Sequence, residues 1–169
     1  LGMKPGEHEY KVMGLAPYAD EEGVERVLPM FQELLQIDGL QFRGPTSTRA
    51  AGRRLETALH RQRFDWIAGA AQRHCEDLVS EFAQNALQAT EAQNLVAAGG
   101  VFMNVKANML LKDLPGLRHF GVCPSAGDES TAIGAAYHGY ELLSGKQPLP
   151  LANLYLGPDL GSDEIDKAI

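Results

Sequence analysis

The spacing of apolar positions changes several times along the chain, and each change marks an element. Residues 1–20 predict an irregular, Gly- and Pro-containing lead-in with a short helix. Residues 21–37 place Val24, Val27, Leu28, Phe31, Leu34 and Leu35 at helical spacing. Pro29 is expected to kink that helix or start a new one. Residues 38–47 are turn-rich, and 49–62 predict another helix. The periodicity is clearest over 66–90, where Ile67, Ala70, Ala71, Cys75, Leu78, Val79, Phe82, Ala86 and Leu87 recur every three or four residues. One broad apolar face results, backed by Arg73, Glu76, Glu81 and Gln84, and a sheet is its expected partner.

The second half alternates between element types. Residues 94–98 predict a buried strand, broken by Gly99 and Gly100. Residues 105–112 read as a helix, 117–123 as a second strand, and 124–127 as a turn. A helix over 128–143 is expected to hold Ala132, Ile133, Ala135, Ala136 and Tyr140 inside and to stop near Gly145. From Leu154 the tail predicts a strand-like piece, then a helix opened by Ser162 with acids in its first turn. This order argues for an α/β fold with an at least partly parallel sheet.

Composition narrows the class. A chain of 169 residues, 44% hydrophobic and 22% charged, fits one globular domain. It holds no apolar run of about 18 residues, so no membrane span is expected, and no signal peptide is visible. It opens on Leu1 rather than methionine, so a fragment or an excised domain is expected. A net charge of −7 argues against a nucleic-acid partner. Arg43, Arg49, Arg53, Arg54, Arg61 and Arg63 are a local exception. A solvated helical face with salt bridges is the plainer reading, and an anion or partner site the alternative. Cys75 and Cys123 form no CxxC pair, which argues against structural zinc and for a reducing cytoplasm. Cys75 lies on the helical apolar stripe and is expected in the core; Cys123, at the end of an apolar run, is the thiol weighed for catalysis.

Two turns carry the candidate chemistry. Each predicted strand feeds a helix, through Gly99-Gly100 and through Ser125-Ala126-Gly127-Asp128. Ligands of open α/β sheets gather at such carboxyl ends. Glycines let main chain approach a phosphate or ribose, and helix-start amides favour anions. Asn104 offers a carboxamide to ribose hydroxyls or a phosphate oxygen, and Asp128 either caps a helix or binds a metal. The same residues also suit plain strand-to-helix turns. With neither a Walker A loop nor a GxGxxG, the residues point to a nucleotide or phosphate pocket without naming a reaction.

Four ordered stretches resemble a known family: "GEHEYKVMGLAPYA" from Gly6, "GGVFMNVKAN" from Gly99, "CPSAGDESTAIGAAYHGY" from Cys123, and "LYLGP" from Leu154. They are similar to the NodU/CmcH O-carbamoyltransferases. The resemblance spans nearly the whole chain, with residues 21–65 carrying little of it. It implies an ASKHA-type fold, with ribonuclease-H-like mixed sheets and flanking helices around a nucleotide cleft. It also implies use of ATP and carbamoyl phosphate to form carbamoyl-adenylate in a second domain. The carbamoyl group then passes to a hydroxyl of a small metabolite, beside a divalent metal, Fe2+. By this resemblance Gly99, Gly100 and Asn104 match the adenosine-binding turn. Glu9 matches a ribose contact, Lys11 a phosphate contact and Asp128 a metal ligand.

One departure is plain. The family's histidine ligands come from an HxxxH-type motif, and His8, His60, His74, His119 and His138 are scattered. The chain therefore resembles the C-terminal half of the ASKHA-like domain, residues 1–169, without the first half or the adenylate-forming domain. Alone it should hold half a cleft, be inactive, and associate into homo-oligomers through its uncovered surface. Two other readings stand beside this one: a tRNA threonylcarbamoyl-transferring relative, which the acidic charge disfavours, and a non-catalytic nucleotide-binding half-domain.

Overall fold

The lead-in forms α1 (Glu9–Leu15), which runs into a 3-10 turn, Ala16–Tyr18, with Pro17 at its start. The computed structural model describes residues 2–44, 47–150, 153, 157 and 161. The strand and the helix expected beyond Leu154 lie outside the described residues. The chain divides into two compact units, Leu1–Gly127 and Asp128–Ile169.

Asp20 opens α2 (Glu21–Gln32): its Oδ1 accepts from the Gly23 amide at 2.7 Å, and Glu21 and Glu22 follow in the first turn. Val24 and Val27 are buried. Pro29 sits inside the helix without ending it at once, but α2 stops at Gln32 and not at Ile37. Ile37 belongs instead to a hairpin, β1 (Gln36–Asp38) with antiparallel β2 (Gln41–Arg43), closed by Gly39 and Leu40. Gly39 adopts φ +62°, which suits a two-residue loop. The segment expected to be only turns is thus ordered. Asn85 donates to the Gly39 carbonyl at 2.8 Å, and Phe42 stacks on Phe82 at 5.3 Å.

Helix α3 (Thr48–Ala58) is capped by Ser47, whose hydroxyl accepts from Ala50 N at 3.2 Å. It ends short of Gln62, and Arg61 takes φ +65°. Helix α4 (Phe64–Thr90) is the axis of the first unit. The sequence predicts a sheet as its partner, but α4 packs chiefly on α1, the 3-10 turn, α2 and α5. That explains buried Asp65, Gln72 and His74 in α4, which a one-faced apolar stripe does not predict. Two apolar clusters line it: Val24, Val27 and Ala70 in one, and Ala83, Leu111 and Leu114 in the other.

The sheet itself is small. Strand β3 (Asn94–Ala97) pairs parallel with β4 (His119–Val122), joined through a 3-10 turn, Gly100–Met103, and α5 (Val105–Lys112). Leu95 and Phe120, partners in the register, turn toward the second cluster. Val96 on the opposite face is 80% exposed. In the second unit, α6 (Ser130–Ser144) ends at Gly145, φ +65°. Of its residues expected inside, Ala132, Ala135, Ala136 and Tyr140 are exposed and Ile133 half-buried. The apolar stripe is real, but no described residue of the unit covers it.

Candidate functional site

Because β3 and β4 are parallel neighbours, their carboxyl ends share one edge. Cys123 N donates to the Ala97 carbonyl at 2.8 Å, and Gly99 N donates to the Ala126 carbonyl at 2.8 Å. The two glycine turns are therefore tied together by main chain. Gly99 adopts φ 112°, ψ 157°, a conformation that disfavours any side chain. Gly100 is different. Its φ is not positive, and a Cβ built there would meet nothing within 4 Å. Backbone strain accounts for glycine at 99, while neither strain nor protein contact accounts for it at 100. Gly100 is exposed.

Asn104 closes this turn and starts α5. Its Oδ1 accepts from Ala107 N at 3.2 Å and from Gln72 Nε2 at 3.0 Å. Its Nδ2 donates to Gln72 Oε1 at 2.9 Å, and Gln72 Nε2 also donates to Glu76 Oε1 at 2.8 Å. Gln72 is 8% exposed. Asn108, in the next turn, donates from Nδ2 to the Phe102 carbonyl at 2.7 Å, and its Oδ1 is buried without a partner among the described residues.

One face of α4 joins the first and second motifs. A Cβ added at Gly69 would lie 2.7 Å from both Ala19 Cβ and Val24 Cγ2. Gln72 follows one turn later, against Asn104. The 3-10 turn of the first motif and the Asn104 loop thus meet successive turns of α4. Sequence reading missed Gln72 and placed Glu76 on the polar back. Two polar residues on a helix give no signal until the loop they bond is known.

The remaining candidates are dispersed. The Glu9 carboxylate accepts from Gly6 N at 2.6 Å. That bond first, and the amides at the start of α1, hold it below the usual range. Glu9 is therefore occupied with closing its own turn. Lys11 is exposed, its ammonium 5.8 Å from the Tyr10 ring centroid. Among the described residues no hydrogen bond ties Glu9 or Lys11 to the Gly99 turn. Asp128 is exposed in the second unit, and its carbonyl accepts from Thr131 N at 3.1 Å. Glu129, not Asp128, holds the N-cap position of α6. Among the described residues no group of three or more His, Cys, Asp or Glu could hold a metal ion.

Other titratable groups serve packing. His74 is buried 6.3 Å from the Phe31 ring, its Nε2 unpartnered among the described residues, and burial pushes its pKa down. Cys75 is half-buried, its thiol pushed up by burial and then by Glu76. Cys123 is half-buried, its Sγ 3.6 Å from the Pro124 carbonyl. In the arginine-rich segment, Arg43 pairs with Asp38 at 2.8 Å and Arg63 with Asp65 at 2.7 Å. Arg53 and Arg54 line a cavity of about 660 Å³ with Met30, Leu34 and Leu55.

Two joined loops at the carboxyl ends of parallel strands form the arrangement in which α/β proteins gather ligands. The chain belongs to the carbamoyltransferase family, matching the family described as carbamoyltransferase N-terminus over residues 1–137. It is 33% identical over 160 residues to nodulation protein NolNO of Sinorhizobium fredii, covering 92% of this chain and 24% of that protein. It is 32% identical over 161 residues to nodulation protein NolO of Bradyrhizobium diazoefficiens, covering 92% and 29%. An uncharacterised Synechocystis protein, sll1178, is 32% identical over 189 residues, covering 98% and 30%. The chain spans between 24% and 30% of the length of these curated relatives. The family resemblance carried by the four motifs is borne out. No described helix is long and apolar enough to cross a membrane.

Proposed function

We propose that the whole protein is an ATP-dependent O-carbamoyltransferase, in which this chain is the C-terminal half of the ASKHA-like domain. The donor is carbamoyl-adenylate, made from carbamoyl phosphate and ATP in a second domain. The acceptor is a hydroxyl of a small metabolite. Family membership supports carbamoyl transfer. The observation that carries the nucleotide site is Gly100, a glycine that the protein's own backbone and packing do not require, on a turn tied to the neighbouring strand end. The half-covered sheet, with Val96 exposed on its other face, supports an ASKHA-type domain in which more of the sheet is buried.

Carbamoyl-adenylate is a mixed anhydride, and AMP is a good leaving group. The acceptor oxygen attacks the carbamoyl carbon, the bond from that carbon to the phosphate oxygen breaks, and the hydroxyl proton is released. The residues of this chain contribute positioning. Open main chain at Gly100 admits the nucleoside, and the Asn104 carboxamide holds it. The described residues do not make a metal site, Asp128 being the single acid proposed for one. The test is to incubate the full-length protein with ATP and carbamoyl phosphate and follow nucleotide products by mass spectrometry. Carbamoyl-adenylate, consumed on addition of an acceptor alcohol, is the expected result. Its absence, with both substrates untouched, overturns the proposal.

A further inference from the structure

Gln72 and Glu76 share a directional logic with Asn104. The Ala107 N–H can only donate, so the atom of Asn104 facing it must be Oδ1. The Glu76 Oε1 accepts at 2.8 Å, so the atom of Gln72 facing it is Nε2. With both ends fixed, the middle has one arrangement: Gln72 Nε2 donates to Asn104 Oδ1 and Asn104 Nδ2 donates to Gln72 Oε1. Both Oδ1 lone pairs are then used, by Gln72 and Ala107. Among the described residues one N–H of the Asn104 carboxamide is left without a partner, on a half-buried side chain beside the Gly100 turn.

We infer that Gln72, oriented by Glu76, is a positioning residue that makes Asn104 a pure hydrogen-bond donor toward the ribose hydroxyls of the bound nucleotide. This rests on the nucleotide site proposed above. A hydroxyl oxygen is the fitting acceptor, because it can accept that N–H without bringing a second anion near Glu76. A phosphate at the same place would be repelled by the carboxylate that orients the network. The burial of Gln72 excludes water that would otherwise let the amides rotate.

The experiment compares ATP with 2′,3′-dideoxy-ATP by calorimetry, in the wild-type protein and in Gln72→Met and Asn104→Asp variants. Methionine keeps the length of the side chain and removes both amide partners. The readout is the affinity ratio for the two nucleotides within each variant, which a partial loss of folding leaves unchanged. The wild type is expected to favour ATP by about tenfold, one hydrogen bond's worth. The ratio should fall to about one in Gln72→Met and Asn104→Asp. A wild-type ratio near one, or a ratio kept in Gln72→Met, overturns the inference and leaves the nucleotide site standing. No binding of either nucleotide by the wild type overturns both.

Discussion

At the residue scale, Gly99 and Gly100 separate two reasons for being glycine. Gly99→Ala places a Cβ at φ 112°, and the expected cost is about 1–3 kcal/mol of stability. Gly100→Ala meets no atom of the described residues within 4 Å, so its melting temperature should stay within a degree or two of wild type. Differential scanning calorimetry checks both, and equal losses would remove the distinction. His74 makes a pH prediction. Burial lowers its folded-state pKa from the ordinary 6.5, outweighing the upward pull of Asp77 and of the bond to the Leu35 carbonyl. Below about pH 6.5 the unfolded chain takes up a proton that the folded one refuses. The unfolded state then binds more protons, so stability is fully present above that pH and declines as pH falls toward the folded pKa. His74→Phe should flatten urea-derived stability between about pH 7 and 5; an unchanged slope would contradict this.

At the element scale, α2 and α4 touch through glycines. A Cβ at Gly23 would lie 2.1 Å from the Trp66 indole, whose Nε1 donates to Asp20 at 2.9 Å. Gly23→Ala should therefore destabilise by about 1–3 kcal/mol or more, through overpacking. Gly52, inside α3 with nothing within 4 Å of a built Cβ, gives the control. Gly52→Ala should stabilise by about 0.5–1 kcal/mol through helix propensity. Thermal melts of the two variants should move in opposite directions, and a shared direction would deny the close packing. This scale also shows what a sequence can disclose. Helix α5 and strand β3 were legible because apolar period and punctuation agree at Gly99, Asn104 and Lys112. The β1–β2 hairpin was not, because Leu34 and Leu35 extend the helical period of α2 into it. The Asp38-Gly39 pair was the available signal. The covering of α4 by helices was hidden too, since His74 and Gln72 look polar until their neighbours arrive. At the candidate site the glycines and Asn104 were legible as a turn, whereas the orientation of Asn104 depends on Gln72 across the fold.

At the scale of the whole molecule, apolar surface is left uncovered. Val96 is 80% exposed, Leu142 71% and Leu143 92%. Surface of this kind favours association, so static light scattering of this chain at high concentration should report a mass above 18.3 kDa; a clean monomer would contradict it. Ala19 of the first motif and Asn104 of the second meet successive turns of α4, which the order of motifs alone did not reveal. The most direct measurement is an ATP titration of the wild type beside Gly100→Ala. Saturable binding by the wild type is predicted, weakened about tenfold or more in the variant at unchanged melting temperature. Equal affinities, or no binding by the wild type, would contradict a nucleotide seated on that turn.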